Sequence, residues 1–323
     1  MTWLSWRQLR AQLLVTGVAL AVLGAYLVVL GTQIRSGHHD AVASCGDACG
    51  SALREFQSRF QGQLYLLDAL LLVTPALLGM FWGAPLVARE LETGTHRLVW
   101  NQSVSRHRWL VVRLAVVTAT AAALTGLFSL LLTWAASPYD AVAADRFTAL
   151  LFGARNLVPV AYTCCSVVLG ALVGLVLRRT VPAMALTALL FAAIQVAVPT
   201  VVRPHLGTPV HSSQAMSAEA IRNLSFLGAQ ADVEGLSAPN VWVVSNSKLL
   251  TADGRTVDLD RYHGCLSGQF DVMAQCVAAL DLHVDVAYHP GGRYWRFQWL
   301  ESLLFLTAAL ALTGLALWRI RVA

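Results

Sequence analysis

The sequence predicts an α-helical integral membrane protein with six transmembrane helices and a small α+β extracytoplasmic domain between helices 5 and 6. Three features carry that fold class. Hydrophobic residues make up 57% of the chain and charged residues only 13%, about half the roughly 25% charged content of soluble domains. Apolar runs of about 20 residues, enough to cross ~30 Å of hydrocarbon, recur six times. The arginines gather at alternate ends of those runs, as a multi-pass topology requires.

Residues 1–12 read as an N-terminal interfacial helix. Trp3, Leu4, Trp6 and Leu9 form an apolar stripe among Arg7, Gln8 and Arg10, which suits the plane of a membrane surface; the same tryptophans would also serve as an aromatic belt ahead of the first span. Transmembrane helices 1–5 fill 13–202, at 13–31, 64–87, 110–135, 157–177 and 181–202. The sixth, Trp299–Trp318, lies in a final segment, 297–323. The first run follows basic residues, as a signal peptide would. However, its length of about 19 residues exceeds the usual h-region, and Ala41-Val42-Ala43 lies too far beyond it for a cleavage site, so an uncleaved span is expected. In the fourth span Gly170 and Gly174 have the G-x-x-x-G spacing that lets two helices approach closely, a weak motif where glycines are common.

With the N-terminus inside, the inner segments hold Arg7, Arg10, Arg89, Arg97, Arg106, Arg108, Arg113, Arg178, Arg179, Arg319 and Arg321, and only two acids, Glu90 and Glu92. Both termini are therefore expected in the cytoplasm. The net charge of +5 is then a topology signal, and nucleic acid is not an expected partner. The loop 88–109 is the one long inner segment. A short amphipathic helix is expected there, with Leu91, Leu98 and Val99 on one face and Thr93 or Thr95 capping it near Gly94. The turn Arg178-Arg179-Thr180 is too short to offer much docking surface.

The outer segment 203–296 is long enough for a domain. Ser217–Ala231 has helical spacing, Asn240–Asp258 reads as two strands with a turn at Asp253-Gly254, Phe270–Leu280 returns to helix, and His283–Tyr288 alternates as a strand. Cys45, Cys49, Cys265 and Cys276 all fall outside the membrane, where thiols oxidise. Two disulfides are expected; of the three connectivities, the local one, Cys45–Cys49 with Cys265–Cys276, is favoured. A metal site from His38, His39, Cys45 and Cys49 is the weaker reading, so no metal is expected. Cys164 and Cys165, within a span, suit apolar packing.

Several chemistries lack support. A phosphate-binding loop needs a lysine after a glycine-rich turn, and the only lysine, Lys248, follows Val-Val-Ser-Asn-Ser. No cofactor is therefore expected in this chain and it is not read as an enzyme. There is no H-E-x-x-H and no G-x-S-x-G. Asp68 and Glu301 are the carboxylates within spans, each about one turn from the outer end. They read either as outer-mouth charges of a gate or, more plainly, as partners of nearby Arg155, Arg293 or Arg296. Gln195 in the fifth span suits a hydrogen bond between helices.

Two stretches carry a family resemblance. One is Arg89–Trp109, RELETGTHRLVWNQSVSRHRW: a Glu, then Gly-Thr, then an Arg before the Trp of the next span. The other is Tyr288–Glu301, YHPGGRYWRFQWLE. Over essentially its whole length the chain resembles the permease subunits of ATP-binding-cassette exporters, in the six-span class of high-GC Gram-positive bacteria. The resemblance implies that the loop after the second span docks on a separate ABC ATPase subunit, through Arg89, Glu90, Glu92, Gly94, Thr95, Arg97 and Arg106. It implies that ATP and Mg sit on that partner, that a second permease subunit, most simply the same chain in a homodimer, completes the path, and that the site of action is the bacterial cell membrane. The path wall would come from Met80, Phe81, Phe191 and Gln195, suited to export of an amphipathic or hydrophobic compound, a drug-like natural product or a lipid. The rival reading is a non-transporting membrane sensor or immunity protein that binds a ligand through its extracytoplasmic domain. An ion-coupled carrier would call for a charge nearer mid-membrane and an inverted repeat, and neither is evident.

Overall fold

A computed structural model describes residues 2–43, 49–94, 105–143, 146–222, 224, 226–236, 241–266 and 269–322, with side chains for all of these except 2–16, 19, 20 and 322. In chain order the elements are α1 (Thr2–Ala43), α2 (Cys49–Leu78), α3 (Ala84–Glu92), α4 (Arg106–Ala143), α5 (Ala149–Ala154), α6 (Val158–Leu177), α7 (Thr180–Ala197), β1 (Val210–Ala215), α8 (Ala218–Arg222), β2 (Phe226–Leu227), β3 (Val233–Glu234), β4 (Val241–Asn246), α9 (Leu259–Cys265), α10 (Phe270–Ala278), β5 (His283–Pro290) and α11 (Tyr294–Val322). Two compact units result. The first holds 1–143, 148–203 and 296–323; the second holds 144–147 and 204–295.

The first unit is helical. A π-turn, Gly79–Gly83, joins α2 to α3, so residues 49–92 form one continuous helix; a second π-turn, Val198–Val202, follows α7. Among the described residues five helices are long and apolar enough to cross a membrane: Cys49–Glu92, Arg106–Ala143, Val158–Leu177, Thr180–His205 and Gly291–Arg321. The expected span 13–31 falls in α1, part of whose side chains lie outside the described residues, as does the stripe of residues 1–12. The chain is a multi-pass membrane protein.

Three helices run well past the apolar runs that mark them in the sequence. α1 continues to Ala43, α2 begins at Cys49, and α4 extends to Ala143. The reason is a stripe of large residues that continues beyond the apolar run while the exposed face turns polar. Phe56, Phe60 and Leu64 of α2 bury against Leu27, Leu30 and Ile34 of α1 and Leu132, Ala135 and Tyr139 of α4, while Arg54, Glu55 and Arg59 stay exposed. The His38 ring meets Phe56 edge-on at 5.7 Å.

α6 lies at the centre of this unit. Of its apolar window 72% is buried, against 22% for Thr180–His205. Glycines allow that enclosure. A Cβ on Gly79 would stand 2.6 Å from the Ser166 carbonyl oxygen, one on Gly170 2.8 Å from the Ala84 nitrogen, and one on Gly174 2.5 Å from the Ala84 oxygen. The G-x-x-x-G of α6 thus meets a second pair at the same spacing, Gly79 and Gly83, and two helix backbones touch without side chains between them.

The second unit is α+β. Its antiparallel sheet has the order β1-β5-β4, with Val210 opposite Tyr288, Val241 opposite Pro290, and a register shift between Val243 and Ser245. Val284 and Val286 of β5 point into a core with Met216, Ile221, Leu249, Tyr262, Ala274 and Val277. The expected helix Ser217–Ala231 stops at Arg222, because the chain turns into the β2–β3 hairpin: Gly228 N–H donates to the Asp232 carbonyl at 2.8 Å, and Ala231 is left-handed at φ 60°. Of the two strands expected in Asn240–Asp258, the first is β4; the second survives only as isolated bridges from Leu250 to Thr256 and His283. Gly254, φ 74°, forms the turn expected at Asp253-Gly254. The helix α9 was not evident from apolar spacing; Asp258 caps it by accepting from Asp260 N–H at 3.0 Å.

Cys265 and Cys276 form a disulfide joining α9 to α10, Cα–Cα 5.4 Å. The expected Cys45–Cys49 pair lies outside the described residues, since Cys45 does. Closing an 11-residue separation stabilises a small domain by about 3 kcal/mol. Cys276→Ser is therefore expected to make this unit more sensitive to protease and to leave one new reactive thiol, Cys265, under denaturing, non-reducing conditions. No thiol beyond those of the parent protein would refute the pairing.

Candidate functional site

The ion pairs of the helical unit gather in two layers. One is at the end where the chain leaves at Arg203 and returns at Arg296. The other is at the opposite, arginine-rich end.

At the first end Asp68 of α2 is wholly buried. Arg155 grips it with both prongs, Nε to Oδ1 at 2.9 Å and Nη2 to Oδ2 at 2.8 Å, and donates from Nη1 to Asp140 near the end of α4. Arg155 can reach both because the chain breaks between α5 and α6: it is extended, φ −122° and ψ 156°, and Asn156 is left-handed, φ 62°. Ser129 Oγ donates to the Asn156 carbonyl at 3.0 Å and holds the break against α4. Gln298 of α11, wholly buried, closes the start of α6. Its Oε1 accepts from the N–H groups of Leu157 and Val158 at 3.2 and 3.3 Å, and its Nε2 donates to the Phe152 carbonyl at 3.1 Å. These are the N–H groups that a helix start leaves without an internal partner.

One turn further along α11, Glu301 is also wholly buried. Arg203 donates to it from Nε at 2.8 Å and Nη2 at 3.0 Å, and the Tyr162 hydroxyl donates to the same carboxylate. The Arg203 guanidinium lies 4.1 Å from the centre of the Phe152 ring. Asp68 and Glu301 therefore occupy separate networks, each matched by its own arginine. Arg155, named from the sequence as a nearby base, is the partner of Asp68. The partner of Glu301 is Arg203, not Arg293 or Arg296: Arg293 donates to the Thr208 carbonyl at 2.6 Å, and Arg296 is exposed. Sequence reasoning missed Arg203 because it looked like the flank of a span. Gln298 was missed too, although a lone amide beside a span is the kind of polar group that buries only with partners. Chemically, two bidentate arginine–carboxylate pairs, with Asp140 and Tyr162, tie together α2, α4, α6, α11 and the chain that follows α7, where an unpaired charge would be costly.

At the arginine-rich end α3 stops at Glu92, with Thr93 bonded back to Arg89 and Gly94 at φ 73° taking the left-handed position that ends helices. Thr95 and Arg97 lie outside the described residues, as do Leu98 and Val99 of the expected amphipathic helix, whereas Leu91 belongs to α3. Ser105 Oγ accepts from Arg108 N–H at 3.4 Å at the start of α4. The two acids bond to neighbouring helices: Glu90 pairs with Arg113 of α4, and the exposed Glu92 reaches the first residue of α7, Thr180. Arg321 of α11 donates to His107 Nε2 at 2.9 Å. Arg89, Arg106, Arg108, Arg178 and Arg179 are exposed.

The four residues expected to wall a path differ in exposure. Met80 and Phe81 lie in the first π-turn. Phe81 is exposed, whereas Phe191 is wholly buried against the rings of Tyr162 and Phe305. Gln195 donates to the Leu72 carbonyl of α2 at 2.6 Å, the helix-to-helix bond its position suggested. Among the described residues no group of three or more His, Cys, Asp or Glu side chains could hold a metal ion.

The family described as ABC-2 membrane transporter related matches residues 17–203, which takes in both π-turns, the glycine contact and the Asp68–Arg155 pair. No curated protein and no solved structure matches the chain. With more than half its residues matched, the chain belongs to the ABC-2 membrane transporter related family.

Proposed function

We propose that this chain is the membrane-spanning permease of an exporter in the six-span class of high-GC Gram-positive bacteria. In this reading α1 supplies the first of six spans, and the arginine-rich end faces the cytoplasm with both termini. A separate ABC ATPase subunit docks there and holds the ATP and Mg; this chain is not itself an enzyme. Two copies form the path, and an amphipathic or hydrophobic compound leaves on the far side. The family match over 17–203 carries the reading. The exposed bases Arg89, Arg106, Arg108, Arg178 and Arg179, gathered at one end, support its orientation. Its apolar cargo is supported by the bonding of the buried polar groups Asp68, Arg155, Arg203, Gln298 and Glu301 to one another or to backbone, which leaves Phe81, Val181, Leu189 and Val196 on the exposed faces.

The test is capture of the tagged chain from native membranes, followed by an ATPase assay on the eluate. A stoichiometric subunit with a phosphate-binding loop and vanadate-sensitive hydrolysis is expected. A chain that elutes alone, or with a signalling partner, would overturn the reading in favour of a sensor.

A further inference from the structure

α7 begins without a cap of its own. Arg179 precedes it in extended conformation, φ −130° and ψ 128°, and its side chain makes no capping bond. The cap comes from another helix. Glu92 Oε2, on the last residue of α3, accepts from Thr180 N–H at 2.9 Å and from the Thr180 hydroxyl at 2.6 Å. A carboxylate is favoured at this position twice over, by the N–H groups that a helix start leaves open and by the positive end of the helix dipole.

The link has a mechanical sense. α3 leads directly into the segment 93–105. α7 follows a turn of two residues, in which Arg178 is left-handed at φ 57° and its N–H is bonded to the Gly174 carbonyl at 3.0 Å. So short a turn has little slack. Glu90 ties the same end of α3 to Arg113 of α4, so α3 is joined to the helices on two sides, by Glu90 to α4 and by Glu92 to α7. Glu92 Oε2 makes both bonds to Thr180, so this acid is engaged within the chain.

We propose that Glu92 is a positioning residue: by capping α7 it passes a displacement of the 93–105 segment to α7. This rests on the reading above, in which an ATPase subunit acts on that segment. Movement of α3 then carries the start of α7 with it, and with α7 the buried ring of Phe191 and the Gln195 bond to α2.

The experiment uses the full chain in complex with its captured ATPase subunit. Hydrogen–deuterium exchange over Thr180–Thr187 is followed without nucleotide and with MgATP plus vanadate, in the parent complex and in Glu92→Ala, Glu92→Gln and Thr180→Val. All four are expected to hold the ATPase subunit equally. The parent should show a nucleotide-dependent change in exchange at the start of α7. Glu92→Ala should reduce that change at least fivefold, and Thr180→Val, which keeps the N–H bond, should reduce it less. Glu92→Gln, which keeps an acceptor oxygen, should retain about half or more. A Glu92→Ala complex that responds as the parent does overturns the inference and leaves the permease reading standing. Equal loss of ATPase capture in Glu92→Ala and Glu92→Gln also overturns it, since that is the signature of a charge that docks on the partner. A parent chain that captures no ATPase subunit overturns the permease reading, and the inference with it.

Discussion

Arg155→Met is expected to destabilise the helical unit by about 3–5 kcal/mol, the cost of removing one member of a buried ion pair and stranding the other. Two carboxylates depend on this one guanidinium. The Asp68 side chain is 0% exposed and that of Asp140 13%, and methionine fills the space without replacing a donor. Asp68→Asn alone should cost less, because Arg155 keeps Asp140. The double variant Arg155→Met/Asp68→Asn should recover much of the loss, because the most deeply buried charge has gone. Thermal unfolding of the detergent-purified protein reads all three. A single variant as stable as the parent would mean that Asp68 reaches water or a proton by another route.

Gly170→Val should be nearly as severe, by a different mechanism. Its first added atom would stand 2.8 Å from the Ala84 nitrogen and 3.1 Å from the Gly83 carbonyl carbon, and both are backbone, so no rotamer can relieve the clash. Overpacking of this kind costs about 3 kcal/mol at the upper end of its usual range. Even Gly170→Ala should destabilise. The contrast is Gly314→Ala in α11, where nothing described lies within 4 Å; there the better helix propensity of alanine should stabilise by up to ~1 kcal/mol. Melting temperatures that move in the same direction for Gly170→Ala and Gly314→Ala would show that α6 does not meet α2 and α3 backbone to backbone.

Much of this architecture can be read from the chain, and the parts that cannot have physical reasons. Composition and the arginine pattern report on the solvent, so they show a membrane protein directly. The Gly170–Gly174 spacing marks a close approach but not its partner, because G-x-x-x-G is a property of one helix and contact a property of two. Gly79 and Gly83 carry the same spacing beside Pro75, and nothing within either helix pairs them with Gly170. Arg155 could be named as a base near Asp68 because both stand close to the same end of their spans. Arg203 could not be matched to Glu301 so simply: Arg293 and Arg296 lie closer in sequence, and only folding brings the segment after α7 beside α11. The outward reach of α1 and α2 was hidden because a search for apolar runs stops at Arg35 and Arg59, while packing follows Phe56 and Phe60 on the opposite face. Glu90 and Glu92 were noticed as acids in a basic segment, but the sequence has no means of saying that Thr180, far along the chain, awaits one of them.

The π-turn at Gly79–Gly83 has a further consequence. Leu71, Pro75, Leu78 and Trp82 are buried at helical intervals, and the same rhythm carried forward would next bury Pro85 or Leu86 and then Arg89. Instead Ala84, Val87 and Ala88 are buried and Arg89 is exposed. The wider turn accommodates an extra residue and shifts the phase of everything after it. One residue more or fewer in this stretch would rotate α3 by ~100° about its own axis, swinging Glu90 away from Arg113 and Glu92 away from Thr180 with no change in either acid. The length of this five-residue stretch is thus a determinant in its own right: it sets which side of α3 faces the rest of the protein.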